Sequence, residues 1–435
     1  MTEGVCLSKL KLRPALGLSL QHMRKNNWEI SVKHWKKVVV TGFGLLAVVL
    51  AGCSSYKDNT IAPAPLKIFK SKVAVLEHWQ AQVGEGSGTA AKAVLSFGNE
   101  GYWQYQTAEN WHLNVTQAGQ SLYAVDYNGL VKSFNLAGQT NWHVNLKQLL
   151  TASPVAGPEY VYVVTAEGTV FALNKKTGQT QWQKPLGSLV IAAPAAAKGV
   201  VVIHTKSGAV IALRAVDGHQ LWCYDPLLNP PMTMERSSVP VIAGQQVVIG
   251  SDNGQVVALD RQTGDMLWQY QVAVPSGASE VAQIVDVDAT PVVKDGTVYV
   301  SSVKSRTVAV SLQSGRMLWK HKVGSFSGLA VSQNKVIVTA NNGALWALDR
   351  QTGKAVWVDS NLLGRGPTAP AIVGHYVVVG DYKGFVHWFS LKTGQLVGRM
   401  SVGTRAIVGQ PVVDGSIVYV MDASGRLVAV QGSKV

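Results

Sequence analysis

A chain of 435 residues, 47% hydrophobic and only 15% charged, can bury a large core, and its 43 glycines suit many strands and turns. Three cysteines exclude a disulfide-built scaffold. The formal charge of +14 comes with no nucleic-acid-binding motif.

In chain order, KHWKKVVVTGFGLLAVVLAGCSS (33–55) has a cationic start, a 13-residue apolar run (Val38–Leu50), then Leu50-Ala51-Gly52-Cys53. Thirteen helical residues span only about 20 Å of a hydrocarbon core about 30 Å thick, so residues 1–52 read as a secretory signal peptide. Small residues ending in Cys resemble the bacterial lipoprotein box, in which the cysteine, here Cys53, is lipidated and becomes the new N-terminus. Cleavage elsewhere would leave Cys53 a free thiol. Residues 1–31 are too long and mixed for an ordinary signal start, whereas initiation near residue 32 would leave a normal one. Ser54 rather than Asp follows the cysteine, which by the lipoprotein rule implies an outer-membrane anchor facing the periplasm. Residues 53–70 are expected to be the lipidated cysteine and a flexible tether reaching about 20–25 Å, and 71–435 the folded domain. Losing residues 1–52 removes eight Lys and Arg and two Glu, leaving +8, compatible with anionic headgroups. Cys6 then leaves with the signal and Cys53 is acylated. Cys223 is left as a small buried apolar residue without a disulfide.

Beyond the tether, KVAVLEHWQAQVGEG (72–86) alternates like a strand and carries Trp79, and residues 87–110 read as an insertion. A repeat follows. Turn glycines stand at 138, 178, 218, 264, 315, 353 and 394, with gaps of 38 to 51 residues, and a Trp lies four positions after six of them. These are Trp142, Trp182, Trp222, Trp268, Trp319 and Trp357; the seventh position is Gly398. DRQTG is spelled twice, at 260–264 and 349–353. Short β-branched runs split by Gly-containing turns make each unit about four antiparallel strands, one propeller blade. The last unit (409–435) has only three strands, and the run at 72–86 supplies the fourth. The predicted fold is therefore all-β, an eight-bladed β-propeller of pyrroloquinoline-quinone-type, Trp-docking repeats, closed by an N-terminal strand.

The turn glycines supply positive φ, and Asp260 and Asp349 accept hydrogen bonds from turn amides. The tryptophans, with Trp79, are expected to form a structural ladder between blades; a ligand platform is the alternative. Gly-x-Ser-x-Gly, His-Glu-x-x-His and Cys-x-x-Cys are all absent, and the ten His show no zinc spacing. GEGSGTAAK (84–92) departs from a phosphate loop at Ala91. Asp286 and Asp288 form an acidic pair, poor as a cation site by itself and expected in a solvated or partner-facing loop.

The signal and lipobox, eight Trp-bearing blades, ALDRQTGxxxW and DVDATP together resemble the BamB family of outer-membrane protein assembly factors over nearly the whole mature chain. The Thr-Gly-x-x-x-Trp phrase is common to propellers of this repeat type and speaks for fold. The resemblance implies a scaffold with no enzymatic activity and no cofactor or metal, within the outer-membrane β-barrel assembly complex. Its implied partners are the periplasmic domains of the central subunit BamA, unfolded outer-membrane proteins as transient partners, and the outer membrane through its lipid. Family contact loops match Asp286 and Asp288 and the loop PPMTMERSSVP (230–240). Met232 and Met234 match an apolar pair, whereas Glu235 stands where the family has Arg and Arg236 follows it. Both loops follow a Trp strand, one blade apart, and so should emerge on one face. The competing reading is a periplasmic quinone-dependent dehydrogenase, against which stand the lack of an adjacent Cys pair and the short chain.

Overall fold

The computed structural model describes residues 62–86, 92–97, 102–107, 113–226, 233 and 237–435, all within one compact unit, Thr60–Val435. The signal segment and Cys53 lie outside the described residues. Seven stretches each fold into a four-stranded antiparallel sheet whose strands neighbour one another in chain order: 116–145, 155–185, 195–224, 241–271, 292–321, 328–359 and 371–401. We number these blades 1 to 7. Their second and third strands, such as Val200–His204 and Val210–Arg214, are buried on both faces because a blade covers each side. This is why they read as continuous apolar runs instead of alternating ones.

Blade 8 joins the two ends of the domain. Strand β1 (Val73–Gln82) pairs antiparallel with the C-terminal strand Arg426–Lys434, from Val73↔Lys434 to Gln82↔Arg426, with a bulge between Glu77 and Trp79. Strands β2 (Lys92–Phe97) and β3 (Tyr102–Thr107) form a separate two-stranded sheet within the segment read as an insertion.

The Trp–Gly spacing has a geometric cause. A Cβ built on Gly264 would stand 2.7 Å from the ring of Trp222, and one on Gly353 2.5 Å from that of Trp319. The same crowding pairs Gly138 with Trp79, Gly178 with Trp142, Gly218 with Trp182, Gly315 with Trp268 and Gly394 with Trp357. Each indole thus lies flat on the turn glycine of the following blade, and its N–H donates to a carbonyl in that turn. Trp222 donates to Arg261 O at 2.8 Å, Trp319 to Arg350 O at 2.8 Å and Trp79 to Leu136 O at 2.8 Å.

DRQTG follows from this docking. Asp260 Oδ1 accepts the amides of Gln262 and Thr263, and Asp349 Oδ1 the hydroxyl and amide of Thr352. These bonds pull both carboxyls below their usual range. The Arg carbonyl takes the indole proton. Its guanidinium ties the turn to neighbouring turns, Arg261 to Lys198 O and Gln245, Arg350 to Tyr299 and Asp295.

At Gly398, where the motif lacks its Trp, a Cβ would meet Val73 O at 3.0 Å and Val75 at 3.2 Å. Strand β1 occupies the space an indole would need. Trp388, on the neighbouring strand, lies instead against Gly432 of blade 8.

The up-and-down strand order sorts the connections. Links between blades and turns between second and third strands share one face, the loop face; Leu150 N, for example, donates to Tyr127 O. The glycine turns lie on the opposite face.

Candidate functional site

The loop face of blades 3 to 5 brings Asp252, Asp286 and Asp288 together, with His204 and Lys206 beside Asp252. Met232, Met234 and Arg236 lie outside the described residues, but both sides of their loop are held. Lys206 Nζ donates to Thr233 Oγ1 at 3.1 Å. His204 Nδ1 donates to Ser238 O at 2.9 Å, which puts the neutral ring's proton on Nδ1. Ser238 Oγ accepts from Gly250 N at 3.2 Å, tying blade 3 to blade 4.

Asp286 and Asp288 correct the expectation of a solvated or partner-facing pair. Their carboxylates are buried, with residue exposures of 0% and 7%, and each already has an interaction partner. The segment 284–289 is pressed against two positions without side chains. A Cβ on Gly250 would stand 2.1 Å from Val287 O, and one on Gly254 3.0 Å from Val285. Val303 N and Ser302 Oγ close the other side, donating to Asp286 O and Val285 O. Asp252 joins them, so that one carboxylate oxygen from each of the three lies within 4.8 Å of the others. The site is thus a buried acidic cluster beneath a loop stapled by a lysine and a histidine.

Burial pushes His204 below its ordinary value and Asp252 above its own, while Lys206 and His204 pull Asp252 back. A second buried centre, in blade 7, escaped the sequence. Asp381 Oδ2 accepts from Arg365 Nε at 2.8 Å and from His387 Nε2 at 3.0 Å. Burial pushes His387 down as well, although Asp381 opposes this. Asp381 shares its turn position with Asp126 and Asp422, a capping signal visible in the sequence. Its two partners, Arg365 and His387, lie 16 and 6 residues away, and no pattern announces them.

These shifts predict acid sensitivity. A histidine with a depressed folded value takes its proton only in the unfolded chain, between about 6.5 and that lower value. Its contribution is complete above about 6.5 and is lost as pH falls through the window, by at most about 1.4 kcal/mol per pH unit per group. Asp252 acts oppositely, easing the fold as pH drops through its raised value. Urea midpoints should therefore fall from pH 7.5 to 5.5, and His387→Gln should flatten that slope. A midpoint unchanged across the interval would refute this.

Cys223 also departs from expectation, because it is disulfide-bonded, with its bonding partner outside the described residues.

The family model described as outer membrane protein assembly factor BamB matches residues 127–359 and 331–434. Outer membrane protein assembly factor BamB of Legionella pneumophila is 35% identical over 392 residues, spanning 88% of this chain and 96% of its own length. That of Kangiella koreensis is 37% identical over 374 residues, 85% of this chain and 91% of the relative. The chain belongs to the BamB family. It is accordingly an outer-membrane protein assembly factor by family, associated with the outer membrane. Among the described residues no helix is long and apolar enough to cross a membrane. BamB from Moraxella catarrhalis superimposes with a TM-score of 0.72 at 23% identity, covering 82% of this chain and all of that one. Quinohemoprotein alcohol dehydrogenase from Comamonas testosteroni superimposes with a TM-score of 0.62 at 13% identity, covering 82% and 76%. At such identities the likeness speaks for the propeller fold alone.

Proposed function

We propose that this BamB-family chain is a non-enzymatic scaffold lipoprotein of the outer-membrane β-barrel assembly complex. It docks on the periplasmic domains of BamA through the loop face of blades 3 to 5 and aids delivery and insertion of outer-membrane β-barrel proteins. The observation that carries the docking surface is the loop around Thr233, stapled by Lys206 and His204 above the buried Asp252–Asp286–Asp288 cluster. A rigid base under a loop bearing Met232 and Met234 suits adaptable apolar contacts with a partner. Arg236 is the cation of the same loop.

The test is a pull-down with the BamA periplasmic domains. Met232→Asp with Met234→Asp should weaken binding by roughly 2–4 kcal/mol, the range for losing interface anchors, at an unchanged melting temperature. Because Asp286 and Asp288 are buried, Asn replacements are the fair probe there, read together with stability. Full binding by folded variants would place the interface elsewhere.

The lipid anchor at Cys53 is tested by Cys53→Ala, which should leave the outer-membrane fraction.

A further inference from the structure

Residues 62–72, at the end of the expected tether, are not a free linker but an extended strap laid on blade 7. Ala64 N donates to Leu363 O at 2.8 Å, and Ala64 O accepts from Arg365 Nη1 at 3.2 Å. Lys67 O accepts from Arg399 Nη2 at 3.2 Å, and the Phe69 ring lies 5.3 Å from the same guanidinium. Lys72 N donates to Val397 O at 2.8 Å, and Lys72 O accepts from Val435 N at 3.1 Å.

Arg365 and Arg399 form the seat of the strap. Arg365 is fixed by Asp381, which His387 holds from the other side. Arg399 is partly buried there, and that burial together with the neighbouring Arg365 holds it below its ordinary range. Guanidinium groups so placed need acceptors, and the strap's carbonyls and aromatic ring provide them.

The strap also has a direction. Ala64 meets the link after blade 6, where Tyr382 N donates to Arg365 O, which is the loop face. Lys72 meets Val397 and the C-terminal residue at the opposite face, where β1 begins. The first described residues of the strap, Ala62–Ala64, therefore lie at the loop face.

We propose that this strap orients the propeller on the membrane, turning the loop face toward the bilayer surface; the proposal rests on the lipid reading of Cys53. Cys53 precedes Ala62 by nine residues, at most about 30 Å of extended chain. A lipid on Cys53 keeps the loop face within that reach of the headgroups. The glycine-turn face stands farther off by the length of a strand, about 17–20 Å. Without the strap, the chain would join the domain at Lys72 on the other face, and the preference would reverse.

The experiment uses the full lipidated chain, with Cys223→Ala, on vesicles of the outer membrane's phospholipids carrying an acceptor dye on the headgroup. A donor fluorophore is placed at Lys383→Cys on the loop face or at Gln333→Cys on the opposite face. Energy transfer should be greater from 383 than from 333. Deleting residues 62–71, which leaves the Arg365–Asp381 pair and every blade intact, should reverse that difference while the protein stays bound, because the tether then joins the domain at Lys72 on the opposite face. Equal transfer from both sites in the parent would overturn the proposal, and so would an unreversed difference in the deletion. The anchor reading fails separately, if Cys53→Ala remains on the vesicles.

Discussion

Deleting residues 73–82 is expected to lower the melting temperature by on the order of 10 °C or to leave no soluble monomer. Strand β1 contributes the whole outer edge of blade 8, from Val73↔Lys434 to Gln82↔Arg426. Val73 is buried among Trp388, Val428 and Val430, and Trp79 covers Gly138 of blade 1 and packs against Tyr419 at 5.8 Å. Burying one Trp is worth roughly 4–6 kcal/mol as an upper bound, and Val73, Val75 and the lost strand pairing add to it. Unfolding entropy scales with chain length, so a domain of this size moves only about 1 °C per kcal/mol. The deletion also uncovers the edge of the C-terminal strand Arg426–Lys434 to other chains. Removing residues 62–71 instead should cost only a few degrees, because the strap's bonds go while every blade stays whole. Trimming that stops before Ala62 touches no described contact and should be neutral. Calorimetry and light scattering on the three truncations settle the order; equal melting for the β1 deletion and the parent would sink the closure.

The contrast between these truncations shows what a sequence carries. Blades are legible because one local device, a turn glycine with a Trp four residues on, recurs wherever a blade docks. The missing fourth strand of the last unit pointed to the run at Trp79 for the same reason. Gly398 announced an exception, but that β1 fills its place depends on Val73 and Val75, more than 300 residues away. The Asp286–Asp288 pair misled because a two-residue spacing looks alike in an exposed loop and in a buried one. What buries it is the missing side chains of Gly250 and Gly254, which let the backbone of 284–289 come close. The strap was invisible for a related reason. Its bonds run from its own backbone to Arg365 and Arg399 and to the backbone of Leu363, Val397 and Val435, and an extended segment held that way has no periodicity to read.

The docking device itself yields the sharpest test. Gly264 and Gly244 both have positive φ, 78° and 64°, but a Cβ on Gly244 would meet nothing within 4 Å, whereas one on Gly264 would stand 2.7 Å from the Trp222 ring. Gly244→Ala should therefore cost only the backbone strain, about 1–2 kcal/mol. Gly264→Ala bears the same strain and must also displace an indole that is 7% exposed and bonded to Arg261 O. Overpacking of this kind adds roughly 1–3 kcal/mol, before any loss of the indole hydrogen bond. The excess should depend on the ring. In a Trp222→Ala background, itself strongly destabilised, Gly264→Ala should cost no more than Gly244→Ala does in the parent, giving a coupling energy of about 1–3 kcal/mol between the two positions. Denaturant unfolding of the four-member cycle, with Gly244→Ala as the strain control, measures it. Additive effects of the two substitutions would show that the turn glycine is required for its φ alone, and that the indole's seat on it is incidental to stability.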